Sequence, residues 1–259
     1  MKTEQYRGCG EVISSVKIGQ EIWDLRLKNH NIASCAMPGQ FVALYCKDQS
    51  RLLPRPISIC EADPDTGVLR LVYRVAGKGT AEFSGLLKGD TVDLLGPLGN
   101  GFPMEEAEGK CAFLIGGGIG IPPMLELAKR LPGQKKIVAG YRDECFLAED
   151  LKKYGELYIA TEDGSCGTCG NVLDCIRENS LTPDVIFACG PKPMLRALSG
   201  YAEERGIPCW ISLEERMACG IGACLACVCK TVDIDAHSQV KNARICADGP
   251  VFLSSKVEL

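Results

Sequence analysis

Cys111-Ala-Phe-Leu-Ile-Gly-Gly-Gly-Ile-Gly-Ile-Pro-Pro-Met-Leu-Glu-Leu-Ala-Lys-Arg130 joins a short apolar run to a glycine-rich turn and a segment that opens on two prolines. A continuous apolar run bounded by glycine reads as a strand buried on both faces. Proline suits the first turn of a helix, where its missing N–H has no partner to lose. Lys136-Ile-Val-Ala-Gly140, Leu157-Tyr-Ile-Ala160 and Asp184-Val-Ile-Phe-Ala-Cys189 repeat the apolar run, with helical stretches between them. Strands alternating with helices predict a doubly wound parallel α/β domain over residues 104–211.

The turn itself carries chemistry. Gly116, Gly117, Gly118 and Gly120 depart from G-x-G-x-x-G, yet they stand where a phosphate can lie against free N–H groups and the positive end of a helix dipole. Cys189, Gly190 and Pro191 end another strand and open another helix. Two such turns at one sheet edge favour a nicotinamide dinucleotide over a turn without a ligand. Acidic Asp143, Glu162 and Asp163 near strand ends suit free ribose hydroxyls better than a phosphate, which leans towards NAD while leaving NADP open.

Upstream the texture is different. Val12-Ile13, Ile22–Leu27, Gln40–Tyr45, Ile57–Cys60, Val68–Arg74 and Thr91–Leu95 are short β-rich runs with turn signals between them, and one helix is expected over Thr80–Leu87. Six strands at this spacing predict a closed antiparallel β-barrel over residues 1–103. Arg55, Pro56, Ile57 and Ser58 put a cation, a fixed φ and a hydroxyl on one strand, which can pair with a phosphate and hydrogen-bond a flavin edge. Gly77-Lys-Gly79-Thr80 offers backbone N–H groups to a pyrophosphate. Alone, Arg55 would be read as a surface ion pair.

Downstream, residues 212–259 contain Cys219-Gly-Ile-Gly-Ala-Cys224-Leu-Ala-Cys227-Val-Cys229 and, after a strand candidate at Thr231–Ile234, Cys246. C-x4-C-x2-C with one distant cysteine is the spacing of a 2Fe-2S cluster, for which three thiolates come from one loop of small residues and the fourth returns from elsewhere. Structural zinc usually shows two C-x2-C knuckles instead. Cys219, Cys224, Cys227 and Cys246 are therefore the expected metal ligands, and Cys229 is read as a packed thiol.

The 259 residues, with 46% apolar composition and net charge −4, carry no basic run and no signal-peptide core, so neither nucleic acid nor a membrane is an expected partner. Sixteen cysteines in a chain with its own core point to thiols held reduced in a cytoplasm rather than to a disulfide scaffold. Cys35, Cys46, Cys60, Cys111 and Cys189 lie among apolar residues and are expected in cores. Cys166-Gly-Thr-Cys169 has redox spacing but sits in a glycine-rich loop, and the reading favours unpaired thiols. The two histidines, His30 and His237, are isolated, and no triad or paired-carboxylate site is visible.

Barrel, dinucleotide domain and cluster loop in this order resemble the ferredoxin-reductase superfamily, and within it the electron-transfer subunits of NAD-linked dihydroorotate dehydrogenase. Leu53–Ile59, Leu95–Phe102, Gly116–Pro123, Glu214–Lys230 and Cys246–Phe252 carry the resemblance. It implies FAD held by Arg55, Pro56, Ile57, Ser58, Tyr73, Arg74, Val75, Gly79 and Thr80, with the 2Fe-2S cluster on the four cysteines. It also implies an FMN-containing catalytic subunit as partner in a heterotetramer of two of each chain. Dihydroorotate is then oxidised on that partner, electrons reach NAD+ through this chain, and the setting is pyrimidine biosynthesis. A second resemblance, to the small subunits of ferredoxin:NADP oxidoreductases and sulfide dehydrogenases, shares the domain order. The transhydrogenase site there looks like one with a carboxylate in place of one cysteine.

Overall fold

The computed structural model describes residues 4–234 and 239–259, so His237 lies outside the described residues. The chain divides into two compact units, Met1–Gly101 with Glu214–Val228 and Arg244–Pro250, and Phe102–Leu213 with Cys229–Ala243 and Val251–Leu259.

In the first unit, β1 (Tyr6–Gly19), β2 (Ile22–Lys28), β3 (Phe41–Tyr45), β4 (Arg55–Asp63), β5 (Val68–Arg74) and β6 (Thr91–Leu98) close a barrel in the order β1-β2-β5-β4-β3-β6. Every neighbouring pair runs antiparallel. Alternation along β5 sets the faces. Leu69, Leu71 and Tyr73 point into the core with Leu25, Leu27, Val42 and Leu94. Arg70, on the other face, is buried between Asp24 at 2.8 Å and Glu61 at 2.7 Å, so one guanidinium ties β2, β5 and β4 together. Helix α1 (His30–Ala33) starts on exposed His30, capped by the Asn29 side chain. Helix α2 (Lys78–Ser84) begins two residues before the expected Thr80 and stops at Gly85, because the chain must turn through Gly89 at φ +90° to reach β6.

The second unit contains β7 (Ala112–Gly117), α3 (Pro122–Arg130), β8 (Lys135–Tyr141), α4 (Ala148–Leu151), β9 (Glu156–Thr161), β10 (Thr168–Cys169), α5 (Val172–Glu178), β11 (Val185–Cys189), α6 (Lys192–Arg205) and β12 (Cys209–Ser212). β7 and β11 are buried at every residue, as strands covered on both faces must be. Helix α3 packs with α4, and α5 with α6. The sheet order is β10-β9-β8-β7-β11-β12-β15, where β15 is Val251–Leu253 and pairs antiparallel with β12. The expected all-parallel sheet therefore has one antiparallel edge, supplied by the C-terminal segment.

Two further expectations change. The strand foreseen at Thr231–Ile234 is instead β13 (Val228–Lys230), paired with β14 (Asn242–Arg244). Beyond Thr231 the chain bends, because the Thr231 hydroxyl donates to Asp233 O at 2.7 Å and Lys256 holds the Asp233 carboxylate at 2.6 Å. Cys60 and Cys189 are buried as expected, but Cys35, Cys46 and Cys111 are only half-buried. Among the described residues no helix is long and apolar enough to cross a membrane.

Candidate functional site

The four expected ligand cysteines all fall in the first unit, on two segments. The loop 219–227 turns tightly because Gly220 and Gly222 take φ of +73° and +84°, and Leu225 joins them at +57°. Backbone N–H groups of this loop then point inward. The Gly222 N–H donates to Cys246 Sγ at 3.1 Å, and the Cys246 N–H lies 3.4 Å from Cys227 Sγ. Burial raises the Cys219 thiol, yet hydrogen bonds from the backbone of Ile221, Ala223 and Cys224 and from the Cys224 thiol outweigh it and bring it down to about 6. Cys246 goes the other way, up to about 12, first through burial and then through its hydrogen bond and charge contact with Cys227. Cys227 and Cys246 are almost fully buried, whereas Cys224 is exposed.

The Gly222 and Cys246 N–H contacts draw the loop and the return arm together around Cys227 and Cys246. Among the described residues no three His, Cys, Asp or Glu side chains converge as they would on a single ion. Three thiols on one loop and a fourth on a return arm are what a two-iron cluster asks for, and bound iron deprotonates such ligands outright. The donor set therefore fits a 2Fe-2S group, with N–H groups already aimed at its sulfurs.

The return arm that carries Cys246 is held by residues with no role in the sequence reading. Arg244 Nε and NH2 each lie 2.9 Å from an oxygen of Asp248, and Arg244 NH1 donates to Gly222 O at 3.3 Å, joining arm to loop. Asn100 Nδ2 donates to Asp248 O at 2.9 Å and to Ala247 O at 3.2 Å, while its N–H reaches Gly249 O at 2.6 Å. Gly99 has φ +75°, and a Cβ there would stand 2.4 Å from Pro250 Cδ, so the stretch Leu98–Gly101 closes on the arm with no room for a side chain. The i, i+4 pairing of Arg244 with Asp248 was the available sequence signal.

The expected flavin residues lie on β4, the end of β5 and the start of α2. Arg55, Pro56, Ile57 and Ser58 are all half-buried, an open strip on a strand that is closed further along. The Arg55 guanidinium donates to Leu53 O and covers Gly79, where a Cβ would meet Arg55 Nε at 2.1 Å. Thr80 Oγ1 accepts from Ala76 N–H at 3.0 Å and Gly77 N–H at 3.2 Å, so this hydroxyl shapes the turn. Arg74 is exposed and Val75 half-buried, with the Val75 N–H bonded to Glu21 O at 2.8 Å. Tyr73 packs edge-on against Phe83, and its buried hydroxyl has no hydrogen-bond partner. A buried phenol left unpartnered is costly, and burial pushes its pKa up, so this part of the barrel core is one polar contact short. A flavin beside Arg55 and Tyr73 fits that deficit.

The two glycine turns meet in the second unit. β7 and β11 are adjacent, with Gly116 opposite Cys189. A Cβ on Gly120 would stand 2.3 Å from Cys189 O and 2.6 Å from Gly190 N, and one on Gly190 would stand 3.2 Å from the Gly117 backbone. Gly118 takes φ +53° with open space around it. Pro191 caps α6, whose first turn follows directly. The sheet order reverses between β7 and β11, and ligands of open α/β sheets bind in the crevice at such a point. Asp143 follows β8, and Glu162 and Asp163 follow β9, all exposed at the same edge. The hydrogen bond from the Ser165 N–H, at 3.0 Å, holds the Asp163 carboxyl below its usual range.

Cys169 lies on β10 and Cys166 in the loop before it, both exposed, so they do not form the helix-opening arrangement of a redox C-x2-C. Cys229, on β13, is half-buried.

Residues 214–258 match the iron-sulfur cluster binding domain of dihydroorotate dehydrogenase B. The chain is 46% identical over 255 residues to the dihydroorotate dehydrogenase B (NAD(+)) electron transfer subunit of Bacillus caldolyticus, a match covering 96% of this chain and 97% of that one. The corresponding subunit of Geobacillus sp. (strain WCH70) is 43% identical over 266 residues, covering both chains completely (100% and 100%). A solved structure of NADH-dependent reduced ferredoxin-NADP oxidoreductase is similar with a TM-score of 0.85 and 29% identity, covering 96% of this chain and 89% of that chain.

Proposed function

Because the chain belongs to the family of electron transfer subunits of NAD(+)-linked dihydroorotate dehydrogenase B, we propose that it carries electrons from a catalytic partner subunit to NAD+. The partner in this reading holds FMN and oxidises dihydroorotate for pyrimidine synthesis, with two copies of each chain assembled together. The 2Fe-2S cluster supplies single-electron transfer, and FAD supplies the conversion of single electrons into hydride for the nicotinamide.

Cys219, Cys224, Cys227 and Cys246 hold the cluster in this reading. Gly222 and the N–H groups of loop 219–227 stabilise its negative charge, and Arg244 keeps arm and loop in register. Exposed Ile221 and Leu225 flank exposed Cys224, so the loop presents apolar surface beside a ligand, as suits a face covered by a partner. Arg55 supplies the cation for the FAD pyrophosphate and Tyr73 a hydroxyl for the flavin. Pro56, Ile57, Ser58, Arg74, Val75, Gly79 and Thr80 shape the same site. Gly116, Gly117, Gly118 and Gly120 with Cys189, Gly190 and Pro191 form the cradle for NAD. The acidic residues after β8 and β9 favour NAD over NADP, because a 2′-phosphate would meet like charge.

The observation that carries the proposal is that Cys219, Cys224, Cys227 and Cys246, on a loop and a return arm joined by the Gly222 N–H, all lie within the matched segment. Its test is anaerobic co-purification with an FMN-type dihydroorotate dehydrogenase chain, followed by iron and flavin analysis and dihydroorotate-dependent NAD+ reduction. Reduction that needs both chains is the expected result. Iron and FAD present with no response to dihydroorotate would favour the ferredoxin-linked reading, which the likeness to the ferredoxin-NADP oxidoreductase keeps in view.

A further inference from the structure

Gln40, just before β3, is a buried amide that neither cofactor reading uses; it is 2% exposed. Burying an amide is costly unless its polar ends are bonded. Here both ends are. Its Oε1 accepts the Met37 N–H at 2.8 Å, and its Nε2 donates to Gly99 O at 2.7 Å. The Gln40 main chain faces β4, where its O accepts the Ile59 N–H at 3.0 Å, one residue beyond Ser58. One residue therefore bonds the strand of the expected flavin residues through its backbone and the 98–101 stretch through its side chain.

That stretch touches both ligand segments. Asn100 Nδ2 donates to the carbonyls of Ala247 and Asp248, and the Asn100 N–H to Gly249 O, all on the Cys246 arm. A Cβ on Gly220, beside Cys219, would stand 3.2 Å from Leu98 Cδ1, so the ligand loop rests on Leu98. On its other side the stretch lies against the turn that carries Gln40. A Cβ on Gly101 would stand 2.7 Å from Pro38 O, and one on Gly99 would stand 3.1 Å from Phe41 Cε1. The Gln40 amide bonds these two layers to one another.

We propose that Gln40 is a positioning residue for the cluster ligand Cys246: acting through Gly99 and Asn100, it anchors the return arm to the flavin strand β4. The inference rests on the cofactor sites proposed above. An apolar side chain of similar length would fill the space, so packing alone does not ask for an amide. What the amide adds is direction, since a donor aimed at Gly99 O holds that carbonyl, and with it Asn100, in place. Without the donor the Asn100 anchor loosens and the arm opens more often. Outer residues that orient a ligand in this way govern how firmly a metal group is held without touching it.

The test mixes anaerobic holoprotein with an excess iron chelator and follows the loss of the cluster's visible absorption. Gln40→Met, of similar length but without the amide, should bleach about three- to tenfold faster, the equivalent of one hydrogen bond. Asn100→Ala should bleach faster too, and adding Gln40→Met to it should change the rate little, because the bridge is already cut. Val12→Ala hollows the barrel core at a fully buried residue outside this set of bonds, so it should lower the melting temperature and keep wild-type bleaching. A residue that merely stabilises the barrel would move the melting temperature and leave no such non-additivity. Unchanged bleaching in Gln40→Met, additive effects of Gln40→Met and Asn100→Ala, or equal acceleration by Val12→Ala each overturn the proposal. If the protein takes up no iron, the cluster reading fails, and amide hydrogen exchange then decides the bridge. The Asn100 N–H should exchange about three- to tenfold faster in Gln40→Met, and an equal rate overturns it.

Discussion

Replacing Arg244 with alanine removes the joint between the two ligand segments. The wild-type side chain holds both Asp248 oxygens at 2.9 Å and reaches Gly222 O at 3.3 Å. The Arg244 and Asp248 side chains are 27% and 34% exposed, so solvent screens the ion pair and it contributes about 1 kcal/mol despite its two-point geometry. The longer hydrogen bond to Gly222 adds about 0.5–1 kcal/mol. Together the arm loses about 1.5–2 kcal/mol of local stability, so it opens roughly 10–30 times more often. Anaerobic holoprotein mixed with an excess iron chelator reads this directly, because bleaching of the cluster's visible absorption requires the arm to open. Arg244→Ala is expected to bleach faster by that factor. Arg244→Lys falls between, since a lysine cannot hold both oxygens. Lys256→Ala, which breaks a pair whose side chains are 58% and 65% exposed, keeps the wild-type rate. An Arg244→Ala protein that loses iron no faster than wild type would refute the staple.

Tyr73→Phe removes a buried hydroxyl without a partner, so flavin-free protein gains about 1 kcal/mol while FAD binds about tenfold more weakly. Melting curves with and without FAD should move in opposite directions, and a fall in both would count against a flavin contact. Gly120→Ala drives a methyl to 2.3 Å from Cys189 O, costing about 2–3 kcal/mol. The melting temperature should drop by roughly 5–10 °C with loss of NADH binding, and unchanged values would contradict the interlocked turns. Cys209, 2% exposed, is pushed up to about 12 by burial, so its neutral thiol stabilises the fold fully below the unfolded value of 9.0, and the gain is lost as pH rises towards 12. The loss reaches about 1.4 kcal/mol at pH 10. Cys209→Ala should flatten the alkaline limb of the melting profile between pH 8 and 11, and parallel limbs would remove Cys209 as its source.

The barrel was legible because alternation over β2 and β5 reports one buried face, and the second unit because β7 and β11 are apolar at every position. The glycine turns were legible as strand-to-helix junctions for the same reason: an apolar run ending in glycines before a segment that opens on proline marks where a strand stops and a helix starts. The antiparallel edge strand β15 was not, since three residues carry too little pattern to separate a strand from a loop. The expected strand at Thr231–Ile234 failed because a side-chain hydrogen bond and an ion pair, not β propensity, direct the chain there.

Sequence alone determined the class of this protein and where its three glycine- and cysteine-bearing stretches lie, because each depends on local spacing or residue type. Tertiary structure decided how those residues meet. It brought the Gly222 N–H onto Cys246, brought Asn100 and Arg244 onto the Cys246 arm, and left the Tyr73 hydroxyl without a partner. Spacing along a chain constrains neighbours within one turn or loop, whereas contacts between separate loops depend on strand register and sheet order, which only the folded chain sets.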